Sequence, residues 1–389
     1  MRILLIRNYP SYMAVKNNTY NIQEIGLAKA LVRRGYQCDV VFWTDKEMED
    51  VEVEVDKEQI VTVYYRKAFS VLKNAVYIGC KRLFEEYDIL QSSEYNQIGS
   101  WILSMKYRGK VVVYHGPYYC EFNRRYNLMC KFFDLFFLRT YIRNNTKFIA
   151  KSKLASDYLG SKGIKAENIE IIGVGIDVEM LSVSRLSQRA INDFMVRLDS
   201  DMSDIKLLYI GQIERRRDIV FLISVLNELV KKHISVHLYI IGSGKEEYVN
   251  LVKDKILEYD LLSKITWTTS MEQRYLSDVY EKTDFFILPT EYEIFGMVLL
   301  EAMYYKNVVL TTKNGGSDTL ICNEKNGFVL EKSYPLVWAN KILDVAKDRG
   351  RMEEIGRIAK STIEENYLWD KLAHRFLKIY EEICVIDKM

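Results

Sequence analysis

Two glutamates, Glu293 and Glu301, stand eight positions apart in the run Glu293-Ile-Phe-Gly-Met-Val-Leu-Leu-Glu301, one ahead of an apolar helix start and one inside it. On a helix rising roughly 1.5 Å per residue they would be about 12 Å apart. That exceeds the roughly 5–9.5 Å between the two carboxyl groups of a hydrolytic glycosidase. The acids therefore suit the two ends of one elongated ligand better than a shared proton. Between them Gly296 permits close backbone approach. The N–H groups of Met297 and Val298 are first-turn donors at the positive end of a helix dipole, where phosphate binds. Upstream, Arg215-Arg-Arg217 places three successive cations after another apolar run, and His115 closes the run Val111-Val-Val-Tyr-His115.

Each of these groups needs an element to hold it. The apolar run 284–288 reads as a buried parallel strand leading through Pro289-Thr290 to the glutamates, and 207–210 reads as a strand leading to the arginines. Both groups thus fall at the carboxyl ends of strands, where open α/β sheets bind ligands. The same alternation runs along the whole chain. Strands are expected at 3–7, 38–43, 60–65, 89–92, 111–115 and 148–151, and again at 206–210, 236–241, 265–268, 284–288 and 308–311. Helices fill the gaps, as at 20–34, which Gly35 closes. Two doubly wound domains follow. The boundary falls in 178–204, which is rich in Ser, Asp and Arg, and 369–385 has the period of an amphipathic helix.

A chain of 389 residues, 49% apolar and 28% charged, has the length of two soluble globular domains. Its 55 basic and 53 acidic residues leave a net charge of +2, too balanced to point to a nucleic-acid partner. The six cysteines, Cys38, Cys80, Cys120, Cys130, Cys322 and Cys384, show no Cys-x-x-Cys and no histidine at ligand spacing. This argues against a disulfide framework or zinc site and for a reducing cytoplasm. The first apolar stretch is too short for a signal-peptide core, and no run of about 18 apolar residues spans a bilayer. No glycine occurs between Met1 and Gly26, so the dinucleotide fingerprint of a dehydrogenase is absent. Gly242-Ser-Gly-Lys245 lacks two P-loop features: Tyr239 stands at the first glycine, and Glu246 at the Ser or Thr that would hold magnesium. It reads as a strand-to-helix turn.

The segment Pro289-Thr-Glu-Tyr-Glu-Ile-Phe-Gly-Met-Val-Leu-Leu-Glu-Ala-Met303 resembles the Glu-x7-Glu motif of the retaining glycosyltransferases of family 4, whose two-domain fold is called GT-B. The resemblance implies two Rossmann-like, doubly wound α/β domains facing a cleft. Residues 1–180 would take the acceptor and 181–368 the nucleotide-sugar donor, with 369–389 a helix returning to the first domain. Glu293 would contact the transferred sugar and Glu301 the donor ribose. Gly211-Gln-Ile-Glu-Arg-Arg-Arg217-Asp218 resembles the family's Gly-Arg-Leu-x-x-x-Lys-Gly, whose cations neutralise the donor diphosphate. Gln212 stands at the usual Arg and Arg217 at the usual Lys, where a guanidinium can grip phosphate in bidentate fashion.

The implied donor-binding set is Gly211, Gln212, Arg216, Arg217, Ile294, Phe295, Gly296, Met297, Val298 and Glu301. The implied catalytic set is Glu293, His115 and Arg217, with His115 touching or polarising the sugar. Asn314-Gly-Gly-Ser-Asp-Thr-Leu320 resembles the family's Gly-Gly-x-x-Glu-x-Ile, with Asp318 or Thr319 in the Glu region, and reads equally as a tight glycine turn. Gly173-Val-Gly-Ile-Asp177 resembles the junction segment Asn-Gly-Val-Asp and reads as structural. The family's Gly-Gly loop after the first strand is missing, leaving Asn17, Asn18 and Thr19 as polar groups there, with Thr19 also suited to cap a helix.

The expectation is a metal-independent transfer of a hexosyl unit from a nucleotide-diphosphate sugar, a UDP-sugar foremost, to a glycan or lipid-linked acceptor in polysaccharide or glycoconjugate synthesis. The segment 122–143 interleaves cations with large aromatics. It suits an anionic membrane surface on the inner face, or else a buried crossover helix with basic edges. A GT-B nucleotide-sugar epimerase, a phosphorylase and a non-catalytic nucleotide-sugar-binding or scaffolding subunit stand as rival readings. Ordinary roles also exist for each residue: a helix-dipole acid for Glu293, a solvated basic face for the arginines, a satisfied strand-end histidine for His115.

Overall fold

A computed structural model describes residues 1–15, 22–56, 58–71, 74–178 and 193–386. Asn17, Asn18, Thr19 and the expected helix start at Tyr20 lie outside them. The chain forms two compact units, Met1–Asp177 with Tyr367–Met389, and Val178–Asn366.

The first unit holds β1 (Arg2–Ile6), β2 (Gln37–Thr44), β3 (Val51–Asp56), β4 (Gln59–Val71), β5 (Asn74–Tyr77), β6 (Ile89–Ser93), β7 (Val111–His115), β8 (Lys147–Ala150) and β9 (Ile169–Ile171). They form one sheet in the order β3-β4-β2-β1-β6-β7-β8-β9, with β5 on β4. Pairing is parallel except for β3 and β5, both antiparallel to β4. Ile3, Leu4, Val40, Val41, Val112 and Val113 are fully buried, as strands covered on both faces must be.

The second unit holds β10 (Ile205–Ile210), β11 (Val236–Ile241), β12 (Ile265–Thr268), β13 (Phe285–Leu288), β14 (Val308–Thr311) and β15 (Phe328–Val329). Its order, β12-β11-β10-β13-β14-β15, is parallel throughout. This is a doubly wound sheet, and its strand order reverses between β10 and β13. The first sheet reverses between β1 and β6. All eleven expected strands are present, most with bounds moved by a residue or two and β4 running on to Val71. β3, β5, β9 and β15 are additions. Within the expected boundary segment, Asp193–Ser200 is a helix. Among the described residues no helix is long and apolar enough to cross a membrane.

The last helix, Trp369–Ile386, belongs to the first unit. Its Trp369 indole fills space that two glycines leave open. A Cβ on Gly26 would lie 2.2 Å from Nε1, and one on Gly175 2.4 Å from Cδ2. Ile176 pairs with Leu368, and the Tyr114 hydroxyl donates to the Gly173 carbonyl at 2.6 Å, so the segment 173–177 is an anchor for this helix. The Tyr380 hydroxyl donates to Gln91 at 2.6 Å, and Phe376 meets Tyr114 edge-on.

Gly26→Ala and Gly175→Ala should each destabilise the first unit by about 1–3 kcal/mol through overpacking against Trp369. Gly160→Ala, with nothing within 4 Å of the new methyl, should be neutral or stabilising. Urea unfolding of the three variants measures the difference.

Candidate active site

At the carboxyl end of β10 the chain turns through Gly211, whose N–H donates to Ile241. Ile213 then bridges to Gly244. A Cβ on Gly242 would lie 1.9 Å from the Gly211 carbonyl oxygen, and one on Gly244 1.9 Å from that of Ile213. The Gly242-Ser-Gly244 turn thus serves close backbone approach between two strand-end loops. Gln212 is exposed, and its carbonyl accepts from Tyr209 at 2.7 Å. Arg215–Arg217 form one 3₁₀ turn, and the chain enters helix Ile219–Lys231 through Asp218 at φ 44°, ψ 60°. This left-handed position is where the family pattern has glycine. Asp218 offsets the strain by capping Phe221 N–H at 3.2 Å and pairing with Lys332 at 2.7 Å.

The loop after β13 is stitched to that turn. Glu291 N–H donates to the Arg216 carbonyl at 2.7 Å, the Thr290 hydroxyl to the same oxygen at 3.3 Å, and Arg216 Nη1 to the Tyr292 carbonyl at 2.5 Å. The stitching sets Arg217 Nη2 2.5 Å from Glu293 Oε2, with Arg216 Nη1 3.9 Å from the same oxygen. Arg216 Nη2 lies 2.6 Å from Glu214. The Arg217 and Glu293 side chains are 12% and 14% exposed. Nε and Nη1 of Arg217 are buried with no hydrogen-bond partner among the described residues. A buried charged donor in that state carries a desolvation cost that an anion would remove.

Gly296, at φ 82°, turns the loop into helix Met297–Tyr304, and no side chain caps that helix. Ile294 and Phe295 pass over a glycine floor. Cβ atoms on Gly315 and Gly316 would lie 2.1 Å from the Ile294 carbonyl oxygen and 1.7 Å from that of Phe295, and Gly315 N–H donates to the Glu293 carbonyl at 2.9 Å. The expected glycine turn is therefore also the support of the glutamate loop. The Thr319 hydroxyl donates to the Gly315 carbonyl at 2.9 Å, and Asp318 pairs with Lys313 at 3.4 Å. Met297 and Val298 are part-exposed in the first turn. Glu301 sits differently from Glu293: it is 1% exposed, and its Oε2 accepts from the Tyr280 hydroxyl at 2.8 Å.

In the first unit His115 ends β7 as expected, but its ring does not face outward. It is 0% exposed, edge-on to Tyr95 and stacked on Tyr158. Nδ1 lies 2.8 Å from Oε2 of Glu94, and Nε2 is buried without a partner among the described residues. Glu94, at φ 59° after β6, also accepts from Gly116 N–H at 3.0 Å and from Lys151 at 3.3 Å. Sequence reasoning missed Glu94, Lys151 and Lys332. A strand-end position beside the β1/β6 reversal was the available signal for Glu94. Burial alone would push the Glu94 carboxyl up; Lys151, His115 and the Gly116 N–H outweigh it and hold the group at about 2, against an ordinary 4.5.

A carboxyl lowered on folding stabilises above its unfolded value and loses that contribution as pH falls through the folded one. Glu94 should therefore contribute on the order of 3 kcal/mol at neutral pH, lost between about pH 4.5 and pH 2. Glu94→Gln should flatten that part of the acid-unfolding profile. An unchanged profile would refute the assignment.

Residues 191–362 match the family model for group 1 glycosyl transferases, and residues 25–180 match that for glycosyltransferase family 4. Among curated relatives, an uncharacterised glycosyltransferase of Methanocaldococcus jannaschii is 25% identical over 55% of this chain and 54% of its own length. The D-inositol 3-phosphate glycosyltransferase of Paenarthrobacter aurescens is 26% identical over 61% and 57%. A capsular polysaccharide biosynthesis glycosyltransferase of Staphylococcus aureus is 28% identical over 45% and 46%. The chain spans about half the length of these relatives. The crystal structure of Anabaena HepE in complex with UDP aligns with a TM-score of 0.73 at 16% identity, over 98% of this chain and 100% of that one. A Rickettsia africae glycosyltransferase aligns with a TM-score of 0.71 at 18% identity, over 98% of each. The fold is thus that of the GT-B structures, and the two halves of the chain match, respectively, the family 4 and the group 1 glycosyltransferase models.

Proposed function

We propose that this chain transfers a hexosyl unit from a nucleotide-diphosphate sugar to a glycan or lipid-linked acceptor, with retention of anomeric configuration. One observation carries the reading: at the β10/β13 reversal, Arg217, ion-paired with Glu293, has two buried nitrogens, Nε and Nη1, with no hydrogen-bond partner among the described residues, beside a helix start that no side chain caps. A diphosphate can take Nε and Nη1 while Nη2 stays on Glu293, so the guanidinium holds leaving group and sugar-orienting carboxylate at once. Exposed Gln212, standing where a second cation is usual, leaves Arg217 and the first-turn N–H groups of Met297 and Val298 as the main counter-charge.

As the bond from the anomeric carbon to the diphosphate oxygen breaks, charge grows on the phosphate that Arg217 grips, and this is the charge the site stabilises. The acceptor hydroxyl forms the new glycosidic bond on the face the diphosphate leaves, and its proton passes to the departing phosphate oxygen. Glu293 orients the sugar. Glu301, its carboxylate fixed by Tyr280, holds the donor ribose. The reading assigns no metal, since Arg217 and the helix start supply the positive charge. Among the described residues no three His, Cys, Asp or Glu side chains gather at metal-ligand distance. No disulfide joins any of the six cysteines, which suits a reducing cytoplasm. UDP is the nucleotide in the HepE complex and is the first to test.

Arg217→Ala should weaken UDP binding by about 2–3 kcal/mol, roughly 30- to 150-fold by titration calorimetry, with Arg217→Lys recovering part of it. Unchanged affinity would remove diphosphate recognition from Arg217. Glu293→Gln should keep UDP affinity and lose transfer. Transfer by the unaltered protein should survive excess EDTA. Binding without turnover of any donor would instead favour a nucleotide-sugar-binding subunit.

A further inference from the structure

The segment after His115 is apolar on two opposite sides. It runs as helix Arg124–Phe133, a π-turn Asp134–Leu138 and helix Arg139–Arg143. Its inner side buries Cys130, Phe133, Leu138 and Tyr141, with Phe133 edge-on to Tyr95 and Tyr141 edge-on to Phe148. A crossover helix packed on its sheet needs no more than this. Yet its outer side carries Leu128 at 57%, Met129 at 39%, Phe132 at 61%, Leu135 at 69% and Phe136 at 66% exposure. Spaced i, i+1, i+4, i+7 and i+8, these five fall on one stripe about 120° wide. The buried-crossover reading therefore accounts for the inner side only.

Charge identifies what covers the stripe. Arg124, Arg125, Lys131, Arg139 and Arg143 are all exposed. Asp134, the one acid between residues 124 and 143, is turned inward onto Lys162 and the Tyr95 hydroxyl. The outer side thus joins an apolar stripe to five cations and no exposed acid. A face of that kind matches a surface with an apolar layer beneath dense negative charge. We infer that the outer side of 124–143 seats the protein on an anionic lipid bilayer, with Phe132, Leu135 and Phe136 entering the acyl boundary and the cations meeting the headgroups. This goes beyond the transferase reading and does not depend on it.

The test uses the full chain with vesicles of phosphatidylcholine alone and of an equal mixture with phosphatidylglycerol. The protein should float with the mixed vesicles only and be released by raised salt. Phe132→Ser/Leu135→Ser/Phe136→Ser and, separately, Lys131→Gln/Arg139→Gln should each cut partitioning by about tenfold or more. Both variants alter exposed side chains, so melting temperature and UDP affinity should match the unaltered protein and separate lost docking from lost folding. No flotation with mixed vesicles, or equal flotation by the triple variant, would overturn the inference. So would a lipid-free dimer that the triple variant dissociates, which assigns the stripe to a second copy of the chain.

Discussion

The second unit rests on backbone approaching backbone. Two pairs of glycines, Gly242 with Gly244 and Gly315 with Gly316, leave carbonyl oxygens of neighbouring loops where a Cβ would lie 1.7–2.1 Å away. The first pair lets the loop after β11 close on the loop after β10. The second lets the loop after β14 close under the loop after β13. Between these supports, hydrogen bonds from Glu291 and Thr290 to one carbonyl of Arg216 fix the remaining gap. Side-chain packing of ordinary residues could not bring these four loops this near. A methyl at any of the four positions would open the seam that sets Arg217 against Glu293.

That pair is held in a mostly buried place, so its balance matters more than its count of contacts. The carboxylate of Glu293 pairs with one end of the guanidinium at 2.5 Å, while Nε and Nη1 have no hydrogen-bond partner among the described residues. A buried ion pair is a weak source of stability, and breaking it leaves an uncompensated charge. Glu293 offsets the charge of Arg217 in this mostly buried place. The usual cation five residues before Arg217 in the same loop is replaced by Gln212, which is exposed and takes no part in this balance.

What could be read in the sequence was local. Strands buried on both faces are unbroken apolar runs, and strand-end groups follow them directly, so β10, β13 and the residues after them were visible. β3 escaped because Val-Glu alternation leaves one face wet, and β15 because it has only two residues. The burial of His115 was invisible, since Tyr158 and Tyr95 reach it from other elements. Glu94 reads as an ordinary polar residue until the sheet order places β6 beside β7, and β7 beside β8, whose ends bring His115 and Lys151 to its carboxylate. Resemblance found positions, while long-range contact decided their surroundings.

Asp218 shows how a departure from a family pattern can be absorbed. A left-handed non-glycine backbone costs on the order of 1–2 kcal/mol. A helix cap of the Asp218 kind returns about 1 kcal/mol. The rest falls to Lys332, which pairs with Asp218 at 2.7 Å and also with Glu291. One lysine from the loop after β15 therefore ties the residue following Arg217 to the residue two before Glu293. The position that glycine would leave loose becomes a fixed corner, and the arginine preceding it is aimed from both sides.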